Sequence, residues 1–329
     1  MATLIRIHKN GGPEVLQYDE VPDRPLQPGE IRLKVEAIGL NRAEIMYREG
    51  QYLEQAEFPS PIGYEAAGVI QEVGPEVVAL KPGDRAASVP AFSMVRYGSY
   101  GDSVVLPATV MAKTPDKLSS IEAAATWMQY GTAYMLVEYG DLRDGDSVLI
   151  TAAASSVGIA AIQIANAVGA RPIATTRKAD KVQALLDAGA SSVINTRESN
   201  LVTEVRRLTE GKGAKIIFDP IVGPQLEALC EAAAPGANIF FYGLLDPTPA
   251  MFPLITALTK DLTFRVYKLM LITTNPKRMA TAKKWILEHL ESGALKPVIA
   301  RVFPFHQMVE AHRYMESNEQ IGKIVVTVP

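Results

Sequence analysis

Between Asp146 and Gly243, short apolar runs alternate with helical segments, and that alternation limits what the chain can become. The runs DSVLI, ARPIATT, SSVIN, AKIIFDP and ANIFFYG read as strands. Between them, Gly158–Val168, ADKVQALLDAG, NLVTEVRRLTEG and GPQLEALCEAA read as helices. Strands separated by helices of about ten to fifteen residues need right-handed crossovers and form a parallel sheet. The helical stretch IEAAATWMQYGTAYMLVEYG, from about Ile121, leads into this region, and TAKKWILEHLESG follows it.

The first part of the chain has a different texture. IRLKVEAIGL (Ile31–Leu40) and GVIQEVG (Gly68–Gly74) read as strands, punctuated by PGE and KPGD turns. Short strands between such turns suggest a barrel-like domain. The tail, VIARVFPF to GKIVVTVP, returns to strand character and is expected to complete this domain, which is therefore discontinuous. A length of 329 residues fits two domains. Their expected extents are 1–122 with 296–329, and 123–295.

The junction ITAAASSVGIAAIQIANAVGA runs from strand through a small-residue turn into an apolar helix. Dinucleotide-binding turns carry G-x-G-x-x-G at such a junction. Its glycines serve in turn for the tight turn, for close approach to the pyrophosphate and for helix–strand packing. Here the register is A-A-S-S-V-G: Ala153 and Ser155 replace the first two glycines and Gly158 keeps the third. The principal phosphate donors are backbone N–H groups at the helix N-terminus, which substitution leaves in place. Ser155 or Ser156 could add a hydroxyl. Small residues also occur wherever a helix packs closely on a strand, so the motif is read together with its strand–helix context. The next strand ends in Thr175 and Thr176, followed by Arg177 and Lys178, where an NAD site would place an acidic residue. Two cations and no carboxylate favour a ribose 2′-phosphate, hence NADPH. The plainer alternative is a solvated helix start.

Net charge is −3 with no long basic run, which argues against nucleic acid as a main partner. No apolar stretch reaches the roughly 18 residues of a membrane span. The opening MATLIRIHKNGG has strand character rather than an apolar signal core, so a reduced, cytoplasmic setting is expected. The single cysteine, Cys230, excludes an internal disulfide and any multi-cysteine metal cluster. The four histidines are scattered, and His306 and His312 do not have the i, i+4 spacing of two ligands on one helical face. No metal is expected.

These segments resemble the medium-chain dehydrogenase/reductase superfamily, and within it the zinc-free quinone oxidoreductase group. The resemblance covers essentially the whole chain. It rests on AIGLNRAEIMYREGQY, PIGYEAAGVIQEVG, KPGDR, GTAY, the turn region, DPIVG, FYG and GKIVV. The fold implied is a Rossmann-type doubly wound parallel sheet plus a β-rich GroES-like barrel domain. Zinc-dependent members carry a cysteine in the segment matching Gly39–Glu44 and a histidine in G-H-E. This chain has GLNRAE and Gly63-Tyr64-Glu65 instead. Glu65 alone cannot hold a catalytic zinc, which needs three protein ligands.

The chemistry the resemblance implies is direct hydride transfer from NADPH to a quinone or another α,β-unsaturated carbonyl. Hydrogen-bond donors then stabilise charge on the substrate oxygen. Asn41 and Tyr52 match the pocket residues of the group, Tyr64 falls at the vacated metal position, and a second family tyrosine falls at Met46, next to Tyr47. For cofactor contacts the resemblance points to Asn41, Thr132, Ser155, Ser156, Val157, Gly158, Thr176, Arg177, Lys178, Val222, Phe241, Tyr242, Gly243 and Lys323. Without the resemblance, Asn41 could simply satisfy a turn and Tyr52 could be a surface residue. A 2-enoyl-thioester reductase and a non-catalytic NADPH-binding relative are the alternative functions. A homodimer through an edge strand near Leu262–Leu269 is a further expectation from the group.

Overall fold

A computed structural model describes residues 1–329. They divide into two compact units, Met1–Met128 with Pro297–Pro329, and Gln129–Lys296.

In the first unit the strands are β1 (Ala2–Ile7), β2 (Leu16–Val21), β3 (Glu30–Gly39), β4 (Ser60–Pro61), β5 (Glu65–Val73), β6 (Arg85–Ser88), β7 (Ser103–Pro107) and β8 (Met111–Lys113). The second unit holds β9 (Ser147–Ile150), β10 (Arg171–Thr176), β11 (Ser192–Asn195), β12 (Ala214–Asp219), β13 (Ala233–Phe241) and β14 (Thr263–Val266). The chain then returns to the first unit for β15 (Ile299–Pro304) and β16 (Lys323–Thr327).

The first unit contains a small sheet, β2-β1-β4, and a seven-stranded sheet, β15-β16-β3-β5-β6-β8, with β7 also paired to β3. All pairs are antiparallel except β15–β16. The returning tail is held by register, with Val326 opposite Ile38 on β3. β3 is buried along nearly its whole length because it is paired on both edges and covered on both faces. The helix Ser120–Ala124 lies so close to this strand that a Cβ on Gly39 would meet the Ala124 carbonyl. That helix therefore belongs to the first unit, and the division falls at Met128.

In the second unit, six parallel strands run in the order β11-β10-β9-β12-β13-β14. Counted within the unit, this is the doubly wound order that reverses between its first and fourth strands. The core beneath it is aliphatic, with Leu149, Ile173, Ile194, Ile217, Leu229 and Ile239 among its buried members.

The helical stretch after Ile121 is not continuous. It is broken into Ser120–Ala124, Trp127–Ala133 and Met135–Glu138. The break at Ala125 is a tight turn: its amide reaches Glu122 O, and the Thr126 hydroxyl takes the same carbonyl at 2.8 Å. By contrast, Pro276–Ser292 is a single helix, capped by Asn275 at its start and by left-handed Gly293 at its end.

Candidate active site

At the second unit's first turn, Ala152 takes the left-handed conformation (φ 45°) that a glycine would ordinarily supply. Ser155 caps the helix Ser156–Ala167 by accepting the Gly158 amide at 3.1 Å. The amides of Ser156 and Val157 open the helix and have no acceptor within it, so they are free to meet an anion. Gly158 does the work of the motif's third glycine, because a Cβ there would sit 2.6 Å from the Ala153 backbone.

The other carboxyl ends add to this edge. Thr176 ends β10 and its hydroxyl accepts the Lys178 amide at 3.1 Å, with Arg177 exposed between them. Val222 lies beyond β12 and Phe241 closes β13. Tyr242 stacks on Phe218 (centroids 4.1 Å apart, planes at 19°), and its buried hydroxyl has no hydrogen-bond partner. Gly243 approaches Pro220 so closely that a Cβ would lie 3.1 Å from it. Thr132 is buried in the helix Trp127–Ala133. The orphaned Tyr242 hydroxyl, the two open amides and the cations after β10 are a donor set that fits a dinucleotide phosphate.

In the first unit the expected catalytic residues lie on a buried polar network. Asn41 precedes the helix Arg42–Arg48. Its Nδ2 donates to Gly39 O, Glu44 Oε1 and Glu65 Oε2 at 3.2, 3.0 and 3.2 Å, and its Oδ1 accepts from Lys323 Nζ. Lys323 Nζ also pairs with Glu65, both side chains being 1% exposed, while Glu65 Oε1 accepts the Met128 amide at 2.8 Å. Two expected site residues have protein partners here. Lys323, matched to a lysine near the cofactor phosphate, spends its ammonium on Glu65 and Asn41. Asn41 directs its amide hydrogens at protein acceptors rather than outward. In both cases β16 and β5 lie on either side of β3, which brings cation and carboxylate together.

Tyr64 is fully buried, and its hydroxyl has no partner. Its ring lies between Tyr52 (centroids 6.3 Å) and Phe92 (5.5 Å). Burial pushes both Tyr64 and half-buried Tyr52 above the ordinary phenol range, so both remain protonated donors at neutral pH. Tyr47 is buried and hydrogen-bonded to Ser60 Oγ at 2.6 Å, so it does not stand in for the tyrosine replaced by Met46.

Sequence reasoning missed the other half of the network. Glu44 is fully buried and accepts from Asn41 N, Asn41 Nδ2, the Tyr64 amide and the Tyr100 hydroxyl. Burial raises its carboxyl to about 7. Tyr100 also meets His312 Nε2 at 3.1 Å, and burial lowers that imidazole to about 3. The Asn41–Glu44 spacing is a capping-box signal that could have pointed to Glu44. Nothing local marks Tyr100 or His312. An open groove of about 600 Å³, lined by Arg301, Phe303, His306, Gln307, Glu310 and Tyr314, contains none of these residues.

The side chains do not fit zinc. No three His, Cys, Asp or Glu side chains converge as a metal-ligand set, a tyrosine fills the histidine position, and Glu65 is already paired with Lys323.

Comparison with known proteins adds independent findings. Residues 27–116 match the alcohol dehydrogenase GroES-like domain, and residues 188–326 match a domain described as zinc-binding dehydrogenase. Quinone oxidoreductase-like protein 2 of Bos taurus is 30% identical over 321 residues, covering 95% of this chain and 89% of that protein. A 2-haloacrylate reductase from a Burkholderia species is 29% identical over 329 residues, covering 97% of each chain. The crystal structure of Escherichia coli quinone oxidoreductase complexed with NADPH superposes with a TM-score of 0.90 at 29% identity, over 99% of this chain and 100% of that one.

Proposed function

Given that the chain belongs to the quinone oxidoreductase-like group of the medium-chain dehydrogenase/reductase superfamily, we propose that it is an NADPH-dependent, zinc-independent reductase of quinones or other α,β-unsaturated carbonyl compounds. The observation that carries this reading is the buried, unpartnered Tyr64 hydroxyl beside Tyr52, where a metal-binding relative needs a histidine. The solved E. coli relative is complexed with NADPH, and the Burkholderia relative is named a 2-haloacrylate reductase; both support the reading.

In this reading the second unit binds the cofactor. The Ser156 and Val157 amides, with Gly158 allowing the helix its close approach, receive the pyrophosphate. Ser155 and Tyr242 contribute hydroxyls, Thr176, Arg177 and Lys178 receive the 2′-phosphate, and Thr132, Val222, Phe241 and Gly243 surround the rest. When bound, NADPH supplies the hydride. In the first unit, Tyr64 and Tyr52 donate hydrogen bonds to the substrate oxygen as negative charge builds there, the task a Lewis acid would otherwise perform. Tyr52, half-exposed, exchanges its proton with water. Asn41 and Lys323 hold Glu65 and Glu44 in place behind them and keep a buried carboxylate neutralised. We also propose a homodimer through the β14 edge.

The test follows oxidation of NADPH and NADH by absorbance, with benzoquinone, an alkenal and crotonyl-CoA as acceptors, with and without a zinc chelator. NADPH with the quinone or the alkenal is expected to react fastest, and the chelator to change nothing. The Tyr64→Phe variant is expected to lose about a hundredfold in kcat. It should melt no lower than wild type, since it removes a buried hydroxyl that has no partner. NADH preferred over NADPH would sink the Arg177 and Lys178 assignment. Faster turnover of crotonyl-CoA would put an enoyl-thioester reductase in its place, and binding without turnover would favour a non-catalytic relative.

A further inference from the structure

The six-stranded sheet reverses its winding between β9 and β12, and sheets of this kind take ligands in the crevice outside the carboxyl ends of those strands. Asp219, the last residue of β12, is fully buried at that point. Three donors hold its carboxylate. Oδ1 accepts the Thr151 hydroxyl and, at 2.9 Å, Gln225 Nε2; Oδ2 accepts the Val222 amide at 2.7 Å. Thr151 is the first residue past β9 and begins the small-residue turn. Val222 has φ 61° and ψ −125°, a conformation that β-branched residues avoid. Strain of this kind persists where surrounding contacts over-determine it, and it concentrates at ligand sites.

The arrangement joins three loops. Asp219 links the turn after β9 to the loop after β12. That loop is tied in turn to the one after β13, because Pro220 O accepts the Leu245 amide at 2.9 Å and Ile221 O accepts the Asp246 amide at 3.1 Å. A carboxylate is needed for the task. Both of its oxygens accept, whereas an asparagine would turn an NH2 toward either the Val222 amide or the Thr151 and Gln225 donors.

We propose that Asp219 is a positioning residue of the cofactor site, holding Thr151 and the strained Val222 in the one arrangement that receives the dinucleotide. This rests on the cofactor reading above. Glycine adopts the Val222 backbone conformation without help. A Val222→Gly change should therefore restore what loss of the clamp removes, and a role of Asp219 elsewhere in the protein would not be rescued in this way.

The experiment titrates the full chain with NADPH and NADH by cofactor fluorescence and records a thermal melt of each variant. D219N is expected to bind NADPH at least about tenfold more weakly, the loss of one hydrogen bond to a charged acceptor. V222G alone should melt higher, because the strain is gone, and its own affinity is the reference against which the double variant is read. The D219N/V222G double variant should recover most of the lost affinity. If D219N does not fold, T151V removes one donor and leaves the carboxylate in place, and should weaken binding by about threefold to tenfold. Wild-type affinity in D219N or T151V, or a double variant no better than D219N, overturns the clamp alone. A wild-type protein that binds neither nucleotide overturns the cofactor reading and the clamp with it.

Discussion

His312 and Glu44 are linked through one tyrosine hydroxyl, yet burial gives them opposite pH dependences. His312 falls from 6.5 to about 3 in the folded state, so the unfolded chain binds more protons and stability is lost as pH falls between those values. Glu44 rises from 4.5 to about 7, so the folded protein binds more protons and stability is gained as pH falls through that window. From about 6.5 to 4.5 the two contributions oppose each other; below 4.5 only the histidine's loss remains. Unfolding free energies of wild type from urea titrations should therefore change little over the first range and drop by about 2 kcal/mol below it. His312→Gln should instead grow more stable as pH falls from 7 to 4.5, and a flat profile for that variant would refute the assignment. At this scale the sequence displayed Asn41 and Tyr64 by position in a motif. Glu44 was legible only through its spacing from Asn41, and Asp219 only as the first letter of DPIVG.

The strand–helix units were the most legible level, because period and turn chemistry act locally. The helix after β9 and the ends of β10 and β12 lie within a few residues of their expected limits, while the long helix Pro276–Ser292 starts five residues before the expected Thr281. The first break in the stretch after Ile121 falls where the Thr126 hydroxyl competes for a helical carbonyl, which periodicity does not register. The turn after β9 shows what an element tolerates. Gly158→Ala would press a Cβ on Ala153 backbone atoms that cannot move aside, at an expected cost of about 1–3 kcal/mol and a marked loss of NADPH affinity. Ser155→Ala loses only the cap, about 1 kcal/mol. Urea unfolding of the two variants checks that order, and equal costs would contradict the packing role of Gly158.

For the whole molecule, β14 closes one side of the sheet with its outer edge unpaired in the chain, and Val266 on it is 80% exposed. Ile255 and Leu258 on the helix Leu254–Thr259 are 76% and 69% exposed. An apolar edge of this kind invites a second strand. Light scattering is expected to report a dimer for wild type and a monomer for Val266→Lys, and a monomeric wild type would remove the proposal. No helix is long and apolar enough to cross a membrane.

The sequence by itself determined the parallel sheet, the split first unit and the small-residue turn between β9 and the helix that follows it, because each is written in short-range spacing or in the identity of one residue. Only the tertiary structure decided that Lys323 neutralises Glu65, that Glu44 reaches His312 through Tyr100, and that Asp219 ties Thr151 to Val222. Those partners are far apart in the chain or lie on neighbouring strands. They meet because a buried polar group must find a partner when the layers close, and which partner it finds depends on strand order rather than on local pattern.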